Sequence, residues 1–329
     1  MKAMMTVALV VLACGSTPLR ADPVEDFYRG KTVTFFIGST PGTAYDLYAR
    51  AVARHLPRFL PGAPSVVPQN MPGASALIAA NHVANIAPKD GTAVAALTSM
   101  LPYQPLMGVQ SVRFDAMRAN WLPSPGGYTG VLVVSSKAAA QSLDELRRKE
   151  IRIATMTPGS TPHFYAALFN ELFGTKMLFV SGHPSMPSTM LATERGEVDG
   201  FPIAPWPTLK RNYAEQLAQK KLTPILQFGP RRIPELGDTP FALDLVRNEE
   251  DRRLADIAMA PLILGYPLMM APDTPRERVA ALRKAIMDMV RDPGFLAEAE
   301  KQTLDIDAVS GEDAQKIVEA AYAAPTGVI

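Results

Sequence analysis

Short runs rich in β-branched and aromatic residues alternate along the chain with segments whose apolar positions recur every three to four residues. VTFFIGS (33–39), SVVPQN (65–70), TAVAAL (92–97), VLVVSS (131–136), IRIATM (151–156), KMLFVS (176–181), PILQF (224–228) and YPLMMA (266–271) have the length and composition of strands. Between most of them lie amphipathic segments at 44–55, 75–85, 162–173, 187–195 and 275–291. Strands that alternate with helices build sheets covered by helices on both faces. The pattern therefore predicts an α/β protein with mostly parallel sheets.

In an open α/β sheet the ligand sits outside the carboxyl ends of the strands, where loops lead into helices. Two such turns are alike. Thr40-Pro41-Gly42-Thr43-Ala44-Tyr45-Asp46-Leu47-Tyr48-Ala49 aligns without a gap on Thr157-Pro158-Gly159-Ser160-Thr161-Pro162-His163-Phe164-Tyr165-Ala166, sharing Thr, Pro, Gly, Tyr and Ala. The match predicts two similar α/β halves, each presenting one loop of this kind. Each half also holds a second turn, Asn70 to Ser75 in the first and Gly182 to Ser188 in the second. Four helix N-termini would then face one cleft.

A helix N-terminus exposes unpaired N–H groups and about half a positive charge, so several together attract an anion without a lysine or arginine. The chemistry suits a carboxylate. Glycine at 42, 73 and 159 lets backbone approach a ligand oxygen, and the hydroxyls of Thr43, Ser75, Ser160 and Thr161 add donors. The same residues also read as caps: Thr43-x-x-Asp46 as a capping box, and Thr161-Pro162 as an N-cap followed by proline. Tyr45 either closes over a ligand or packs on its own domain, whereas Tyr48 and Tyr165, one turn in, read as core. Asp46 reads as a cap, with a ligand ammonium as its functional alternative. His163 is either a donor to an anion or a local hydrogen-bond partner.

Composition narrows the function. The chain has 329 residues, ample for two domains, and 33 Lys and Arg against 32 Asp and Glu leave a formal charge of +1, which gives a nucleic acid nothing to bind. His55, His82, His163 and His183 lie apart, without HxxxH or HExxH spacing, so no metal or other cofactor is expected. No GxSxG elbow, GxGxxG fingerprint or P-loop is present, which argues against an enzyme. Lys2 precedes an apolar run from Ala3 to Ala13, too short to cross a bilayer, and residues 1–21 therefore read as an export signal. Cleavage falls either after Ala21 or before Cys14, because Val11-Leu12-Ala13-Cys14 is similar to a lipoprotein box. Cys14 is the sole cysteine, which leaves the folded part without a disulfide or thiol ligand.

The ordered set of motifs resembles the extracytoplasmic solute-binding proteins of the tripartite tricarboxylate transporter family, periplasmic binding proteins of type II-like, two-domain build. STPGTAYDLYARAVARHL is similar to that family's PGGGxD stretch, and VPQNMPGASALIAANHVANIAPKDGTAV to its NxPGAGG-to-PPDGYT segment. ATMTPGSTPHFYAALF resembles its second-domain loop, Ser181 to Asp199 the segment ending in a GxVD turn, and Leu264 to Thr274 a strand with a FAPxGTP-like end. The resemblance implies a Venus-flytrap pair of α/β domains, 22–130 plus 264–329 and 131–263, joined by crossings at Gly130 to Ser136 and Leu264 to Ala271. It implies a monomeric, non-enzymatic periplasmic protein that holds a carboxylate for membrane permease subunits. Carried over by position, the ligand residues would be Thr40, Gly42, Thr43, Ala44, Tyr45 and Asp46 in the first loop, with Gly73, Ala74 and Ser75 in the second. Thr157, Gly159, Ser160, Thr161, His163 and Gly182 would complete the set. Two departures, Thr43-Ala44 in place of glycines and Ser181-Gly182-His183 in place of Tyr-Lys-Gly, point away from citrate. So do Tyr45 and the loop Pro202 to Pro207, which favour a more apolar carboxylate. A ligand sensor for a receptor kinase and a secreted enzyme using Asp46 or His163 as acid or base remain the alternatives.

Overall fold

Val33, Phe35, Phe36 and Ile37 are all buried, and a strand apolar on both faces has to lie inside a sheet. The computed structural model describes residues 22–323; residues 1–21, read above as an export signal, and Cys14 within them lie outside the described residues. Among the described residues the strands are β1 (Thr32–Ile37), β2 (Ser65–Asn70), β3 (Ala93–Ala96), β4 (Asn120–Leu122) and β5 (Gly130–Ser135), then β6 (Ile151–Ala154), β7 (Met177–Val180), β8 (Gly200–Pro205), β9 (Leu222–Phe228) and β10 (Leu268–Met270). They form two five-stranded sheets, ordered β2-β1-β3-β10-β4 and β7-β6-β8-β5-β9, each packed with helices.

Both sheets are mixed, where the alternation of strands and helices predicts mostly parallel ones. β1 runs parallel to β2 and β3, and β6 parallel to β7 and β8, as βαβ units require. β10 is antiparallel to β3 and β4, and β5 to β8 and β9. The reversals follow from connectivity: β10 returns from the second half of the chain into the first sheet, and β5 enters the second sheet from the first.

Pro202 to Pro207 is not a loop. Gly200–Pro205 forms β8, central in its sheet, and Trp206–Asn212 is the helix that follows. The prolines mislead because a central strand needs its N–H groups. Here Val131 pairs with Ala204 but Val133 with Phe201, so Pro202 sits at a register slip, where a missing donor is tolerated.

The expected crossings also need correction. β5 belongs wholly to the second sheet and β10 to the first; the chain passes between the halves at 123–129 and 265–267. There the two passages touch backbone to backbone. A Cβ on Gly127 would lie 2.7 Å from the Ile263 carbonyl oxygen, so only glycine fits that approach. Tyr266 sits at this crossing, stacked on Tyr48 with ring centroids 3.6 Å apart, and Tyr45 and Tyr128 pack around it at 5.4 and 5.8 Å. These rings form the floor from which the site rises.

Candidate functional site

Each wall of the site begins as a loop leading into a helix. After β1, Gly42 takes a left-handed φ of +80°, and Thr43 caps the helix Ala44–His55 by accepting from the Asp46 N–H at 3.4 Å. The Thr43 hydroxyl lies 2.9 Å from both the Thr40 carbonyl and Ser39 Oγ. After β2, Gly73 is followed by Ala74, Ser75 and Ala76, all at positive φ. Three successive non-glycine residues in that region are costly, roughly 1–2 kcal/mol each. The turn persists because Gly38 makes room for Ala76; a Cβ on Gly38 would clash with the Ala76 Cβ at 2.3 Å.

In the second half, Ser160 stands at the N-cap of Thr161–Phe173 without capping it, and its buried Oγ has no hydrogen-bond partner. After β7, Gly182 and His183 lead into Met186–Arg195, whose start is closed by a reciprocal Ser185–Ser188 capping box. These loops converge on one cavity of about 480 Å³, within the roughly 300–1,000 Å³ of sites for drug-sized ligands.

Of the residues singled out in the sequence, Thr40, Gly42, Thr43, Ala44 and Tyr45 line this cavity from the first loop, and Gly73, Ala74 and Ser75 from the second. Thr157, Ser160, Thr161 and Gly182 line it from the other half. Asp46, Gly159 and His163 do not. The Asp46 carboxylate is buried and turned back into its own half, accepting from the Gly42 N–H at 2.9 Å, Arg50 Nε at 2.9 Å and Asn70 Nδ2 at 2.8 Å. Burial opposes its ionisation, yet the bonds from Arg50, Gly42 and Asn70 outweigh it and hold its pKa below the usual aspartate value. Gly159 faces Val109 and Met107 instead of the cavity. His163 packs edge-on against Phe179, centroids 5.2 Å apart, and burial lowers its pKa. The two acid/base candidates thus stand outside the cavity.

Hydroxyls join the halves. Ser75 Oγ lies 2.9 Å from Thr157 Oγ1, and buried Ser99 Oγ lies 3.2 Å from Thr161 Oγ1, 3.3 Å from the Tyr128 hydroxyl and 3.3 Å from that of Tyr45. Burial and then nearby Tyr45 push the Tyr128 pKa well up, so its hydroxyl keeps its proton. Sequence reasoning missed Ser99 and Tyr128. It also missed Phe201 and Tyr213, which line the cavity from β8 and the segment after it, and placed Ile203 in a loop instead of in β8. Their signal was hidden by the prolines of β8. Among the described residues no lysine, arginine, aspartate or glutamate lines the cavity.

No known family profile matches the chain. A UPF0065 protein of Bordetella bronchiseptica is 28% identical over 165 residues, 49% of this chain and 48% of that relative. The match thus spans about half the length of the curated relative. Among solved structures, a TctC solute-binding protein from Polaromonas superposes with a TM-score of 0.65 at 21% identity, over 92% of this chain and 98% of its own. MatC from Rhodopseudomonas palustris, with bound malate, gives 0.69 at 16% identity, over 88% and 96%. R. palustris Rpa4515, with adipate, gives 0.68 at 22%, over 89% and 94%.

The chain has the TctC-type periplasmic-binding-protein fold.

Within this fold the cavity lies where loops from both halves meet, above the tyrosines at the crossing. Among the described residues no group of three or more His, Cys, Asp or Glu side chains is placed to hold a metal, and no helix is long and apolar enough to cross a membrane.

Proposed function

We propose that the protein is an extracytoplasmic solute-binding protein. It captures a small carboxylate between its two halves, which meet at the chain passages 123–129 and 265–267, and delivers it to a tripartite tricarboxylate-type membrane transporter. The observation that carries this reading is the cavity itself. Loops leading into helices of both halves line it, Ser160 offers a buried, unpartnered hydroxyl beside an uncapped helix N-terminus, and among the described residues no anionic side chain stands there to repel a carboxylate. Two proteins of the same fold hold malate and adipate, both carboxylates.

The protein acts without catalysis: it works in the periplasm as a monomer, and ligand bridging the halves shifts a hinge equilibrium towards the form the permease recognises. Thr40 to Tyr45, Gly73 to Ser75, Thr157, Ser160, Thr161 and Gly182 are the contacts. A thermal-shift screen of the refolded exported chain against mono-, di- and tricarboxylates tests the binding step. A ligand that binds only the native state raises Tm by mass action. No rise with any carboxylate overturns the reading. Uptake of the ligand by cells with and without the protein tests delivery.

A further inference from the structure

We infer that the ligand carries a single carboxylate on a bulky apolar body, as medium-chain and arylalkanoic acids do, in place of a compact di- or tricarboxylate. The inference rests on the binding role proposed above and concerns the same cavity.

The first argument compares the polar groups where the long helices start. At the first loop the Gly42 N–H is taken by Asp46, and the Thr43 hydroxyl is held by Ser39, Thr40 and the Asp46 N–H. The hydroxyls of Ser185 and Ser188 close their own helix, and those of Ser75 and Thr157 pair with each other across the halves, one donating and one accepting. Ala76 and Leu77, where the remaining helix starts, do not line the cavity. The start of Thr161–Phe173 differs from all of these. No side chain caps it, and Ser160, only 1% exposed, lines the cavity with an Oγ that has no partner. A single carboxylate satisfies both the hydroxyl and the helix start.

The second argument concerns the rest of the ligand. Met156, Met186, Phe201, Ile203 and Tyr213 line the same cavity, and Met186 and Tyr213 pack with Phe201 in one apolar cluster of the second half. The methionines adapt their shape to an irregular apolar body. A second carboxylate placed against this wall loses water and, among the described residues, meets the neutral Tyr213 hydroxyl but no lysine or arginine in return. The volume of about 480 Å³ accommodates a bulky body.

Isothermal titration of the refolded exported chain with octanoate, 4-phenylbutanoate, suberate and octanamide tests this. The monocarboxylates should bind at least about tenfold more tightly than suberate, and octanamide should bind weakly or not at all. Ser160→Ala should weaken octanoate by about tenfold. Met186→Lys, at a half-buried position, should shift preference from octanoate towards suberate. The melting temperatures of the unliganded variants report whether each still folds. Suberate binding as tightly as octanoate overturns this inference and leaves the solute-binding reading standing. Failure of all the acids, together with no response in the wider carboxylate screen, overturns both.

Discussion

Ser75 and Thr157 stand 82 residues apart in the chain, yet their hydroxyl oxygens lie 2.9 Å apart across the cleft. One follows β2 and the other follows β6, so a single neutral hydrogen bond links the second turn of the first half to the Thr-Pro-Gly loop of the other. Such a bond contributes only about 0.5–1.5 kcal/mol net. The bond therefore favours the closed form only slightly, and it adds to the closure that a ligand's differential affinity drives.

Removing either hydroxyl tests that link. Ser75→Ala and Thr157→Val should each lower the affinity for a bound carboxylate by about 2- to 10-fold, the equivalent of that single bond. The double variant should lose no more than either alone, because both remove the same interaction. Titration calorimetry reads the affinities, and wild-type values in all three variants would show that the pair does not contribute to closure.

Two glycines near the first loop should respond differently to valine. No atom lies within 4 Å of a Cβ placed on Gly42, so Gly42→Val meets only the strain of its φ of +80°, about 1–2 kcal/mol. Ligand affinity should fall while cooperative melting survives with a Tm lower by a few degrees. Gly38→Val drives a side chain into Ala76 and the strained turn behind it, and should cost at least about 1–3 kcal/mol. Equal melting temperatures for the two variants would contradict the packing described for Gly38.

Asp46→Asn should destabilise the fold by about 1–3 kcal/mol at neutral pH, because it removes the charge that Arg50 Nε and the Gly42 N–H address. The sign with pH follows from the lowered native pKa. Above the unfolded value of about 3.9 the carboxylate contributes its full stability, and as pH falls below that value towards the native pKa the contribution is lost. The gap between wild type and Asp46→Asn should narrow in acid. Denaturant melts at pH 7 and pH 3.5 measure it, and a constant gap would argue against a lowered pKa.

His163 gives a slope in a higher window. Burial lowers its native pKa, and Nδ1 is buried without a partner. Below about pH 6.5 the unfolded chain takes up a proton that the folded chain resists, so stability falls with pH until the native pKa is passed. His163→Phe keeps an aromatic ring against Phe179 and removes the titration. Its Tm should drop less than that of wild type between pH 7 and pH 5; an unchanged drop would assign the slope to other groups.

What the sequence by itself determined about this protein is local. Val33 to Ile37, Val66 to Asn70 and Val131 to Ser135 read as strands because β-branched and aromatic residues suit a pleated, buried backbone wherever they sit. The helix Ala44–His55 was legible from its amphipathic spacing and from Thr43, a cap that acts on an amide three residues away. The recurring Thr-Pro-Gly loops were legible for the same reason, and each lines the cavity from its own half. Tertiary structure decided everything that depends on which segments meet. β4 is three residues long and has no pattern to read, and β8 hides behind its prolines until a register slip against β5 accommodates Pro202. The two Thr-Pro-Gly loops look alike, yet Gly159 turns to Val109 and His163 to Phe179, because the neighbours of a loop are set by sheet order and chain crossing. The apolar wall of Met186, Phe201 and Tyr213 arises in the same way, from residues on three separate segments that only the folded second half brings side by side.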